Sequence, residues 1–239
     1  MQRMTNVSSL TVERIVARAK LTLALRVEGV RDDGYHLIDA EMVTLDLADE
    51  LVITTPGRNE LPSGDLVTRA LIAIGRDRDV HVALAKRIPV GAGLGGGSAD
   101  AAAVLRWGGC ADLHVAAALG ADVPFCLVGG RARVRGIGEL VEALPFEERF
   151  FTLVTPPFPV STQLVYREWD RLAGPRAEGG NDLEPAALVV EPRLGEWRDR
   201  LGDATGMTPR LAGSGGTWFV EGAFPDCVPN AVVTRTDRP

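Results

Sequence analysis

The sequence predicts an α+β protein in two domains, on three observations. Candidate strands and helices follow one another irregularly, without the strand-helix-strand alternation of a parallel sheet. A Pro- and Glu-rich patch, 145-PFEER-149, interrupts the chain just before a new apolar strand, which sets the expected boundary between residues 1–148 and 149–239. The composition, 46% hydrophobic and 24% charged over 239 residues, is globular and long enough for one large domain or two small ones sharing a cleft.

Taken in order, 14-RIVARAKLTLALRV-27 alternates around Lys20 and reads as a strand, and 32-DDGYH-36 reads as a turn. The run 41-EMVTLDLADELVITT-55 predicts one or two further strands broken at Ala48-Asp49-Glu50, followed by a loop over 56-PGRNELPSG-64. A helix is expected over 65-DLVTRALIAIG-75 and a strand over 80-VHVALAKRIPV-90. Beyond the boundary come a strand, 150-FFTLVTP-156, and a loop, 174-GPRAEGGND-182. Then follow a helical stretch over 183–201 broken at Pro192 and a strand, glycine turn and strand over 210-RLAGSGGTWFVEG-222. The last residues, VVTRTDRP, read as a tail.

Charge and patterning exclude several functions. A net charge of -6 argues against a general nucleic-acid binder, which carries a basic face. No apolar run approaches the ~18 residues of a membrane span, and MQRMTNVSSLTVERIV lacks the hydrophobic core of a signal peptide, so no membrane association and a cytoplasmic location are expected. Cys110, Cys126 and Cys227 are an odd count without CxxC spacing, which indicates neither a disulfide framework nor a zinc site.

The chemistry concentrates in 89-PVGAGLGGGSADAAAV-104, where Gly91, Gly93, Gly95, Gly96 and Gly97 crowd ahead of a helix-forming run. Gly91, Gly93 and Gly96 satisfy G-x-G-x-x-G, but a dinucleotide fold wants a buried parallel strand before the loop, and Lys86, Arg87 and Pro89 fit that poorly. A Walker A loop is excluded because no Lys-Ser or Lys-Thr closes the pattern. A plain tight turn would make three consecutive glycines costly in folding entropy. Backbone N–H groups converging at a helix N-terminus instead describe a phosphate cradle. The candidate nucleotide contacts are therefore Pro89, Val90, Gly91, Ala92, Gly93, Leu94, Gly95, Gly96, Gly97, Ser98 and Ala99.

This loop resembles the phosphate-binding motif of the GHMP small-molecule kinases. The segments ARAKLTLAL at 17–25, DGYH at 33–36, LGADVPF at 119–125, VSTQLVY at 160–166, NDLEP at 181–185 and LAGSGGTWF at 211–219 resemble, in order, those of the branch whose acceptor is a cytidylyl-methylerythritol of the non-mevalonate isoprenoid pathway. The likeness covers about residues 14–220. It implies a two-domain GHMP kinase fold, a ribosomal-protein-S5-domain-2-like N-terminal domain and a ferredoxin-like C-terminal domain. ATP, Mg²⁺ and a small-molecule acceptor would meet in the cleft, with the protein a monomer or weak homodimer.

The resemblance also implies roles. Asp122 on its own reads as a helix cap or turn former, whereas the family's counterpart orients and deprotonates the acceptor hydroxyl. Lys20, in an apolar strand, must snorkel outward or meet an anion; by resemblance it faces Asp122 and helps to neutralise phosphate charge. Ser98 is placed to touch phosphate or Mg²⁺, or to cap the helix, and is the one candidate metal contact. Gly213, Ser214 and Gly215 resemble the turn that closes over the phosphates, a plain hairpin turn being the alternative. Tyr35 and Tyr166 correspond to two aromatic faces around the cytosine, with His36 beside them at the pyrimidine edge, though either tyrosine also fits a half-buried core position. Departures are Arg18 for the usual Pro, Thr22 for Asn at an acceptor contact, Asp65 for Asn near the adenine, and a short link over 106–117. Two alternatives stay open: a GHMP kinase with another acceptor, and a nucleotide-binding regulator without turnover.

Overall fold

Two strands, β1 (Thr11–Val30) and β2 (His36–Thr55), form the long antiparallel hairpin on which the rest is built; the computed structural model describes residues 9–238. The hairpin closes through the predicted DDGYH turn, where Gly34 adopts φ 86° and the Asp33 carboxylate accepts from the Tyr35 N–H at 3.3 Å. Alternate residues Ala17, Ala19, Leu21, Leu23, Leu25 and Val27 of β1 are buried, as the period-2 pattern demands. Register shifts at Arg18/Lys20 and Thr22/Ala24 flank Lys20 and Thr22, in a stretch where both faces of the strand are buried.

The break expected at Ala48-Asp49-Glu50 does not occur: β2 runs through it. Asp49 is buried within the strand, and its Oδ1 accepts from the backbone N–H groups of Arg87 (2.5 Å) and Ile88 (2.8 Å). An aspartate that caps a distant segment carries the same local signature as a turn former. The same bonds shorten the next strand. β3 stops at His81–Ala85, because the amides of Arg87 and Ile88 turn to Asp49 and leave the ladder.

Helix α1 (Leu66–Ala73) starts at Asp65, whose carboxylate accepts from the Val67 N–H at 2.8 Å. Helices α2 (Gly96–Trp107), α3 (Leu113–Leu119) and α4 (Val123–Val128) follow, with α2 packed among β1, α1 and α4 and its Ala101, Ala102, Val104 and Leu105 buried. Strands β4 (Arg131–Gly136) and β5 (Leu140–Leu144) complete a five-stranded sheet in the order β1-β2-β4-β5, with β3 also on β2.

A second sheet begins with β6 (Phe150–Val154) and adds β7 (Arg210–Leu211), β8 (Trp218–Glu221) and β9 (Ala231–Arg235) in the order β7-β8-β6-β9. Between β6 and β7 lie α5 (Thr162–Arg171), α6 (Glu184–Val190) and α7 (Leu194–Thr205), the last two separated around Pro192 as expected. The expected tail is instead strand β9, antiparallel to β6. It is tied to the first sheet as well: Thr234 Oγ1 donates to Asp46 at 2.5 Å, the Asp237 N–H donates to the Thr44 carbonyl at 2.9 Å, and Arg18 donates to Asp237 at 2.6 Å. Its polar residues make these long-range bonds, which no local pattern announces. Pro239 lies outside the described residues. Among the described residues no helix is long and apolar enough to cross a membrane.

Candidate active site

Lys20 is 5% exposed, its ammonium lying 3.4 Å from Asp122 Oδ2 and donating to Thr22 Oγ1 at 3.1 Å. Asp122 immediately precedes α4 yet its side chain makes no capping bond. Its carboxylate faces the lysine instead, which removes the simple cap reading. The backbone of Lys20 is itself a fixture, since its N–H donates to the Leu94 carbonyl at 3.0 Å and pins the glycine loop to β1.

The loop needs its glycines. Gly91, Gly93 and Gly95 have φ of 72°, 79° and 67°, the left-handed region. A Cβ on Gly95 would meet Lys20 Cγ at 2.7 Å. Gly95 is also the cap residue of α2 and offers no side chain, so the N–H groups at the start of the helix are left for a ligand. Ser98 lies inside the first turn of α2 and is not its cap. The second glycine turn sits directly on the first: a Cβ on Gly93 would lie 2.7 Å from Gly215 Cα, and one on Gly213 would lie 3.7 Å from Lys20 Nζ. Gly213-Ser214-Gly215 lies in the connection of the β7-β8 hairpin, as the plain-turn alternative has it, and it also makes backbone-on-backbone contact with the first loop beside the lysine.

Two cavities meet at Gly93 and Ser98, which line both. The first, of 510 Å³, runs along Pro89 to Ser98 and includes Asp65, Leu66 and Lys86. Val90 is 86% exposed there, while Ala99 is buried in α2 and lines neither cavity, as does Gly215 beneath Gly93. Under the loop, Lys86 bridges Asp49 (2.5 Å) and Asp100 (2.7 Å). Burial pushes the Asp100 carboxyl up to about 6, against the pull of Lys86.

The second cavity, of 580 Å³, contains Lys20, Thr22, Asp122, Gly213, Ser214, Tyr35, His36 and Tyr166. Every expected acceptor contact is thus brought to one wall or another. Tyr35 is exposed and Tyr166 half-buried, its hydroxyl pushed up by burial and by the nearby Asp122 charge. His36 packs its ring on Tyr166 with centroids 4.6 Å apart. One side of the cavity is a face of α5 presenting Gln163, Tyr166, Arg167 and Asp170 at i, i+3, i+4 and i+7.

The GHMP kinases N terminal domain family matches residues 65–130. A 4-diphosphocytidyl-2-C-methyl-D-erythritol kinase of Paramagnetospirillum magneticum is 36% identical, across 86% of this chain and 87% of its own. The chain belongs to the 4-diphosphocytidyl-2-C-methyl-D-erythritol kinases. The same-named protein of Cereibacter sphaeroides is 38% identical over 85% of this chain and 87% of its own. A crystal structure of a 4-(cytidine 5'-diphospho)-2C-methyl-D-erythritol kinase superposes with TM-score 0.78 at 31% identity, over 94% of this chain and 100% of the other. A mevalonate kinase, 12% identical with TM-score 0.55 over 94% of this chain and 98% of the other, shares the fold alone.

Sequence reasoning placed Tyr166 of this kinase in the site but missed the rest of the α5 face, Gln163, Arg167 and Asp170. Arg167 lines the second cavity without an ion-pair partner among the described residues, and Asp170 Oδ1 accepts from His36 Nε2 across 134 residues. A signal existed: Ser161 accepts from the Leu164 N–H as N-cap, and the residues after it repeat with helical period.

Proposed function

We propose that this kinase transfers the γ-phosphoryl group of ATP to the 2-hydroxyl of 4-diphosphocytidyl-2-C-methyl-D-erythritol in the non-mevalonate isoprenoid pathway. The observation that carries the proposal is the Lys20–Asp122 pair, 3.4 Å apart in an aromatic-lined cavity that meets the glycine-lined one at Gly93 and Ser98. We read the chain as two domains, 1–148 and 149–239, S5-domain-2-like and ferredoxin-like. In this reading it works in the cytoplasm as a monomer or weak homodimer, on small molecules and not on nucleic acid or membrane.

The residues present fit ATP: left-handed glycines, an uncapped helix start and a Cβ-free surface admit phosphates to the backbone. N–H groups from Gly93 to Gly97 bind them, with Gly213 and Ser214 closing from the other side and Asp65 and Leu66 toward the adenine. Mg²⁺ bound with the nucleotide would neutralise charge on the transferring group, and Ser98, on both cavities, would offer it a hydroxyl; among the described residues no cluster of acidic or imidazole groups forms a separate metal site.

Asp122 holds the acceptor hydroxyl in line and takes its proton as the oxygen bonds to the γ-phosphorus and the bond to the β-phosphate breaks, releasing ADP. Lys20 stabilises the charge that develops on the phosphoryl oxygens, and Thr22 holds Lys20 in place. Tyr35 and Tyr166 flank the cytosine, His36 meets its edge, and Arg167 supplies countercharge to the acceptor's diphosphate. A coupled ADP-release assay over a panel of acceptors tests the proposal. Turnover confined to the cytidylyl substrate is expected; preference for mevalonate, homoserine or a sugar would reassign the acceptor, and ATP binding without turnover would make the protein a regulator.

A further inference from the structure

We infer that Asp170 sets a cytosine-over-uracil preference in the acceptor cavity, by fixing which nitrogen of the His36 ring carries its proton. This rests on the reading of the cavity as a cytidylyl site and goes beyond it.

The contact is specific. His36 Nε2 lies 2.8 Å from Asp170 Oδ1, and no other side chain among the described residues bonds that carboxylate. The imidazole is held from three positions on one helix: Tyr166 stacks on it at 4.6 Å and 37°, Trp169 meets it edge-on at 5.7 Å and 82°, and Asp170 takes its Nε2. Trp169 is in turn fixed by donating its indole N–H to the Pro175 carbonyl at 3.1 Å. The ring is therefore not free to rotate, and its edges are assigned.

A carboxylate offers only acceptors, so a singly protonated imidazole beside it keeps its proton on Nε2. Nδ1 is then a lone pair. That nitrogen bonds nothing else among the described residues, and the ring lines the cavity that takes the acceptor. A lone pair at this position accepts from the 4-amino group of cytosine and faces the 4-oxo group of uracil acceptor to acceptor. An unmatched polar pair against the His36 ring, whose side chain is only 11% exposed, is rejected far more strongly than a missing methyl group. Asp170 thus acts as a positioning residue that reads the base through His36. Nearly half of its side chain is exposed, so truncating it leaves the core untouched.

The test measures kcat/KM for the cytidylyl acceptor and for its uridylyl analogue in the wild type, Asp170→Ala, His36→Phe and the double variant, with ATP KM and Tm as controls. Asp170→Ala should lower the cytidylyl-to-uridylyl ratio by about tenfold or more, mainly through KM, with ATP KM and Tm unchanged. In the His36→Phe background the same truncation should leave the ratio where it is, because the two residues act as one unit. An unchanged ratio in Asp170→Ala overturns the inference, as does an equal drop in both backgrounds, which would mean that Asp170 touches the base directly. A wild-type protein that phosphorylates neither nucleotide acceptor overturns the substrate reading beneath it.

Discussion

Gly215→Ala puts the contact between the two glycine turns to a direct test. A methyl group there would lie 2.5 Å from the Gly93 nitrogen and 2.7 Å from the Ala92 carbonyl oxygen, where ordinary contact begins at 3.4 Å. All of the obstructing atoms are backbone, so no side chain can swing aside. The turns must separate by about 1 Å, at an overpacking cost of ~1–3 kcal/mol. The atoms displaced are those that define the cradle between Leu94, bonded to the Lys20 amide, and the Gly213 backbone beside the lysine ammonium. A displacement of about 1 Å at reacting groups costs on the order of 10²-fold in rate. A coupled ADP-release assay with ATP titration should show that loss in kcat/KM, with Tm lowered. Gly64→Ala is the control, since a methyl group there meets nothing within 4 Å. Turnover and ATP KM within about threefold of wild type in Gly215→Ala, an effect well under 1 kcal/mol, would refute the interlocking of the turns as a condition of phosphate binding.

Asp122→Asn keeps the shape but removes the proton acceptor, so turnover should fall by roughly 10²- to 10⁴-fold with ATP affinity by calorimetry nearly unchanged. Tyr166→Ala removes a stacking face worth ~1–3 kcal/mol, which should raise KM for the cytidylyl acceptor by about 5- to 150-fold and leave ATP KM alone. Arg167→Gln should raise the same KM by about tenfold at low salt and by less at high salt, as expected for an exposed countercharge. Asp100→Asn probes the cluster under the loop through pH. Burial raises this carboxyl to about 6, so the folded protein holds a proton that the unfolded chain releases. The stability this contributes is fully present below about pH 4, the unfolded carboxylate range, and is lost as the pH climbs through about 6. Denaturant titrations should show the wild type losing ~2–3 kcal/mol relative to Asp100→Asn across that window; parallel curves would show that Asp100 ionises alike in both states.

Where the signal was local, the chain was readable. The glycine loop, the helix after Pro62, the Gly34 turn and the alternation around Lys20 each depend on residues within a few positions of one another. The misreadings all involve partners far away in the sequence. Asp49 looked like a strand breaker because its role is to accept amides from Arg87 and Ile88, 38 and 39 positions on. The strand ending at Arg235 looked like a tail because its ladder partner begins at Phe150. Candidate roles for Lys20, Asp122, Tyr35, His36 and Tyr166 came from motif likeness, and all five line one cavity. Asp170 carried no motif at all; only folding brings it to His36.

The placement of β9 also bears on when during synthesis the protein first becomes competent. β6 lies between β8 and β9, both translated after it, and the Asp237 segment ties back to Arg18, Thr44 and the strand that carries Lys20. A nascent chain halted before β9 would already hold both glycine turns, Lys20 and Asp122, yet β6 would have one bare edge and Arg18 no carboxylate. An open strand edge is a site for wrong pairing, and chains fold largely in the order in which they leave the ribosome. β9 therefore closes the β6 edge that the earlier strands leave exposed, and until it arrives that edge is open to wrong pairing.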